Sequence, residues 1–144
     1  MIFSATGGSA FGGNFKLMTI MTPPPKTSPA VIIKEKEAYQ YWLILHRDFP
    51  KTERYGIGRR IDNLFLEILE LSFTASYLPP EHKIILLGKA ISRLDVLKFF
   101  LQLAWENKLV PNEKYINLSQ KLEEIGRMLG GWKRGLDKKL SPSK

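Results

Sequence analysis

His46 and His82 are the only histidines in this chain, and neither stands at a spacing that assembles a proton-transfer or metal site. Such a centre needs converging His, Asp, Glu or Cys side chains, and cysteine is absent altogether. Ser92 and Asp95 share a helical face but have no histidine beside them, and no G-x-S-x-G elbow occurs. Glu123 and Glu124 are adjacent, so on a helix their carboxylates diverge by about 100°, which disfavours a paired acid and base. The stretch GGSAFGG lacks both the Lys-Ser/Thr ending and the preceding strand of a phosphate loop. The expectation is a protein without catalytic residues, cofactor or metal.

Charge is the stronger signal. The 22 Lys and Arg against 14 Asp and Glu give a formal charge of +8, which favours a polyanionic partner. Residues 125–144 carry six cations, including Arg127, Lys133, Arg134 and Lys138, against Asp137 alone. In YGIGRR, Arg59 and Arg60 stand at a helix entrance, either as phosphate contacts or as solvated charges beyond a turn. Lys89 and Arg93 are four residues apart, with Lys98 further along; singly such residues are a solvated helix face. Together with the C-terminal cations they would join into a positive belt, and a ring of subunits would repeat it. Aromatic residues are not clearly interleaved with these cations, so backbone electrostatics is the expected mode of nucleic-acid binding rather than base reading.

These side chains need helices to position them. Tyr115, Leu118, Leu122, Ile125, Leu129, Trp132 and Leu136 alternate gaps of three and four, a seam of coiled-coil type, while Arg127, Arg134 and Lys138 run along another face. Pro111 and Glu113 open this last helix, and it ends near Lys139. A first helix is expected from about Ile33 to Arg47, with Ala38, Tyr41, Trp42 and Leu45 inward. FPKTERYGIG interrupts, and a second helix runs to about Tyr77. Pro79 and Pro80 stop it, and Pro80 with Glu81 opens a third that reaches Asn107. Connections this short make an all-α, antiparallel, up-and-down four-helix bundle over residues 31–140. Residues 1–30, rich in Gly, Ser, Thr and Pro, are expected to be disordered, as a real tail or a stretch upstream of the true start; 141–144 form a tail.

The middle helices are more apolar than one bundle needs. Ile61, Leu64, Ile68, Leu71 and Ala75 form one stripe, and Leu66, Leu69 and Phe73 a second. Leu87, Ile91, Leu94, Leu101 and Trp105 line one side of the third helix, broadened by Val96, Phe99, Phe100 and Leu103. Some of this surface is expected to meet another subunit; the alternative is a thick monomeric core. Gly126 with Gly130, and Gly131 with Gly135, are each a turn apart, either as flat patches for close approach or as the mark of a fraying helix end. No apolar run is long enough to span a bilayer, and the first residues do not read as a secretory signal. A cytoplasmic protein without a membrane partner is expected.

FPKTERYGI after an aromatic first helix, ISRLDVLKFFLQLAWENKLV in the third and KYINLSQKLEEIGRMLGGWKR in the fourth together resemble the Avd-like four-helix-bundle proteins. These are accessory variability determinants of diversity-generating retroelements, related to proteins encoded in ribosomal-RNA intervening sequences. The resemblance spans roughly Ala38 to Leu136, and LDVLKFFLQLAWE and IGRMLGGWKR are its most specific parts. It implies a homopentamer of bundles, a ring or barrel with a positive surface. It further implies binding of RNA or DNA and partnership with a reverse transcriptase in complementary-DNA synthesis and mutagenic retrohoming. Carried over by position, the basic residues are Lys98 in LKFF and Arg127, Lys133 and Arg134 in the last segment. The alternative is a bundle scaffold, or an intervening-sequence protein, that binds an acidic protein partner.

Overall fold

The structure, a computed structural model, describes residues 29–140. The expectations for 1–28 and 141–144 therefore lie outside the described residues. The described chain is helical throughout: α1 (Ala30–Arg47), the single turn α2 (Lys51–Arg54), α3 (Ile57–Ala75), α4 (Pro80–Glu106) and α5 (Asn112–Leu140). Helices α1, α3, α4 and α5 pack each against the next, and α5 closes back on α1. Cross-helix partners show the directions. Trp42 meets Asp62 while Glu35 meets Ser72; Arg60 meets Phe100 while Arg93 meets Glu67; Lys98 meets Glu123 while Trp105 meets Tyr115. One number falls as the other rises, so neighbouring helices are antiparallel, as the sequence predicts.

The predicted inward stripes form the core. Ala38, Trp42 and Leu45 of α1, Ile61, Leu64 and Ile68 of α3, Leu87, Leu94 and Leu101 of α4, and Leu118, Leu122, Ile125 and Leu129 of α5 are all buried. Each large side chain removed from water in this way contributes about 1.5–3 kcal/mol. Around Trp42 the packing is aromatic: His46 stacks on it with centroids 4.9 Å apart, Phe49 meets it edge-on at 5.4 Å, and its indole N–H donates to Asp62 at 3.2 Å. The second stripe has a different fate. Leu66 and Phe73 are exposed on the single chain and Leu69 is half-buried, and Phe99 of α4 is exposed as well.

Helix ends differ from expectation where backbone chemistry overrides periodicity. α1 begins three residues early, at Ala30, because Pro29 supplies the carbonyl for the Ile32 N–H at 3.0 Å and Val31 and Ile32 bury their side chains. The expected interruption contains α2, started by Pro50. α3 stops at Ala75, two residues before Tyr77, where Ser76, Tyr77 and Leu78 bond three residues back, tightening the last turn ahead of Pro79. The Lys83 ammonium then donates to the Ala75 carbonyl at 2.9 Å, placing a cation on that helix end. α4 closes in a Schellman motif: Leu109 N–H bonds the Ala104 carbonyl, Lys108 N–H bonds the Trp105 carbonyl, and Lys108 takes φ 62°.

Candidate nucleic-acid interface

Eight of the nine predicted cations divide into three settings, and Lys89 stands apart. Arg93, Lys98 and Lys133 are tied to carboxylates: Arg93 Nε lies 3.4 Å from Glu67, Lys98 Nζ 3.1 Å from Glu123, and Lys133 Nζ 3.3 Å from Asp137. Lys133 also lies along α4, its stem 3.7 Å from where a Cβ on Gly88 would sit. Arg93 and Lys98 occupy opposite flanks of α4, one facing α3 and the other α5. Within one chain, then, these two cations do not share a face of α4.

The second setting is the outer face of α5. At 100° per residue Arg127, Arg134 and Lys138 fall within about 40° of one another, and all three are exposed. None has an ion pair among the described residues. Arg134 folds its guanidinium back over Gly130, 3.2 Å from the position of an added Cβ, and it is also the near neighbour of Gly131. Gly126 alone meets another helix, where an added Cβ would lie 3.4 Å from Leu94. The paired-glycine reading therefore resolves into one interhelical approach and one bed for an arginine. α5 runs helical through all four glycines. Lys89 is also exposed, on a separate groove of about 360 Å³ between α3 and α4 that it shares with Glu67, Glu70 and Arg93.

Arg59 and Arg60 make the third setting. The Arg59 guanidinium lies 5.4 Å from the centre of the Tyr55 ring, and that of Arg60 lies 5.8 Å from the Phe100 ring. Aromatic partners for these cations are what the sequence reading missed. Tyr55 precedes Arg59 by four residues, one helical turn, but Gly56 between them obscured the spacing. The Arg60–Phe100 contact joins α3 to α4, and spacing along one chain carries no trace of it.

The histidines have packing environments. His46 Nε2 lies 3.3 Å from the Arg54 carbonyl, to which its N–H donates, and its ring is held between Trp42 and Phe49. Gly58 makes room for it: a Cβ there would fall 2.5 Å from His46 Nε2. His82 is exposed in the first turn of α4. Ser92 and Asp95 are both exposed on α4. Glu123 pairs with Lys98 and Glu124 with Lys34, so the adjacent carboxylates point to different helices. No group of three or more His, Asp or Glu side chains suited to a metal ion occurs among the described residues.

One carboxyl escaped the sequence reading. Glu35, in the run KEKE, is 2% exposed and accepts a 2.7 Å hydrogen bond from the Ser72 hydroxyl. Its other oxygen has no partner, and the residue borders a void of about 10 Å³ walled by Phe65, Ile68, Leu94, Leu97, Leu122 and Ile125. Burial pushes this carboxyl up to about 8, against the smaller downward pull of Ser72. The signal was present: Glu35 lies three residues before Ala38, on the inward stripe.

No helix among the described residues is long and apolar enough to cross a membrane. No curated protein and no solved structure matches the chain. The sequence model of one family, described as bAvd-like, matches residues 31–136.

Proposed function

The chain belongs to the bAvd-like family, and from that premise we propose that it is a non-enzymatic nucleic-acid-binding accessory protein of a diversity-generating retroelement. In this reading it assembles as a homopentamer, binds RNA or DNA through pooled cations, and partners a reverse transcriptase in complementary-DNA synthesis and mutagenic retrohoming. The supporting observation is the outer face of α5, where Arg127, Arg134 and Lys138 align in solvent with no ion pair among the described residues. Arg93, Lys98 and Lys133 contribute less, because each already spends its charge on a neighbouring carboxylate. Exposed guanidinium and ammonium groups on one helix face bind phosphate by releasing counterions, so affinity follows ionic strength.

The test is binding of a labelled RNA across a salt series, with the wild-type chain and a variant carrying Arg127→Glu, Arg134→Glu and Lys138→Glu. Wild-type affinity is expected to fall linearly on logarithmic axes, and the variant to lose most of its affinity and slope while keeping its helical spectrum and mass in solution. Salt-independent binding, or a variant equal to wild type, rejects this surface. Binding to an acidic protein with no binding to RNA or DNA at low salt selects the scaffold reading instead.

A further inference from the structure

We infer that the cluster Tyr55, Arg59, Arg60, Phe99 and Phe100 is a site for single-stranded nucleic acid, where bases stack on Tyr55 and Phe99 and phosphates meet the two arginines. The inference rests on the nucleic-acid reading above but concerns a different end of the bundle and specifies the strand state. Tyr55 is 57% exposed and Phe99 is 61% exposed, large aromatic surfaces left in water. Two groups of contacts, adjacent at Arg59 and Arg60, connect them. Arg59 lies against Tyr55, Arg60 follows it in sequence and lies over Phe100, and Phe100 meets Phe99 edge-on with centroids 5.4 Å apart.

Charge identifies the occupant. Neither Arg59 nor Arg60 has an ion pair among the described residues, unlike Arg93, Lys98 and Lys133. Asp62, the nearest acid along α3, accepts from Trp42. Phe99 shares a groove with Asp95, Lys98 and Glu123; Glu123 is held by Lys98, and the exposed Asp95 lies one turn before Phe99. A phosphate track is thus steered to the arginine side of the rings and away from Asp95. Cations interleaved with exposed aromatic rings suit a polyanion whose own rings are unstacked, because every base offers a face to stack. A duplex keeps its base faces covered by its neighbours and offers only edges and phosphates.

The experiment compares a fluorescent oligothymidylate with a blunt duplex of equal length, using the full chain at low salt. Stacking is worth about 1–3 kcal/mol per base, so Tyr55→Ser with Phe99→Ser should weaken single-strand binding by on the order of 10–100-fold or more. Duplex affinity should stay within about twofold, and Tyr55→Phe with Phe99→Tyr should restore single-strand binding. Equal losses on both ligands, or no loss on either, overturn the stacking site while leaving salt-dependent binding intact. A drop in solution mass of the serine variant also overturns it, since the rings would then be covered by another copy. If wild type binds neither ligand, the nucleic-acid reading fails and this inference with it.

Discussion

The Glu35 carboxyl lies among apolar side chains from three other helices, with the Ser72 hydroxyl as its one hydrogen-bond partner. No charged group lines the void beside it. Its folded-state value of about 8 lies above the ordinary 4.5, so the unfolded chain releases this proton first as pH rises. Its contribution is therefore fully favourable below about pH 4.5 and is lost progressively up to about pH 8, a swing on the order of 5 kcal/mol. Glu35→Gln, of the same shape and without the charge, should flatten that part of the stability profile. Thermal melts of both proteins between pH 5 and 8 check this; parallel profiles would place the titration elsewhere. Gly58 gives a second prediction at this scale. A methyl group there collides with the His46 ring, so Gly58→Ala should cost about 1–3 kcal/mol in denaturant unfolding, despite alanine's better helix propensity.

Among the elements, the four long helices and their inward stripes were legible because apolar spacing and proline placement act locally. Pro80 and Pro111 each mark a helix start within a residue or two. Hydrogen bonds at the helix ends were less legible. Nothing in the periodicity of ENKLVPNE shows that Lys108 takes a left-handed conformation, a position glycine ordinarily fills. The turn tolerates lysine because its surroundings are fixed: Trp105 stacks on Tyr115 with centroids 4.7 Å apart and its N–H donates to Asn112, clamping the end of α4 to the start of α5. Lys108→Gly should relieve the backbone cost and stabilise the chain by about 1 kcal/mol in chemical denaturation. A destabilised variant would show that the entropy glycine adds to the unfolded chain outweighs the strain. The candidate interface was legible as cations and illegible as geometry. Sequence located Arg93 and Lys98 but not the acids that occupy them, since Glu67 and Glu123 come from other helices, whereas Asp137, four residues after Lys133 on the same helix, was within reach of spacing.

For the whole molecule, the question is what covers the second apolar stripe. Leu66 and Phe73 of α3 are exposed on the single chain, although their residue types favour burial. We expect the purified protein to scatter light as a multiple of its 16.5 kDa chain mass. Leu66→Glu with Phe73→Glu should shift it toward the single-chain mass without loss of helical signal. An unchanged mass would place any subunit contact on another face. The up-and-down course of the chain has one more outcome. The Lys34–Glu124 pair sets the start of α1 beside the middle of α5, so the last turns of α5 run on past α1, whereas Tyr55 and Arg59 belong to the opposite end. A bulky label on Lys139, in those last turns, would therefore mark the far end of the bundle and leave its aromatic end unobstructed.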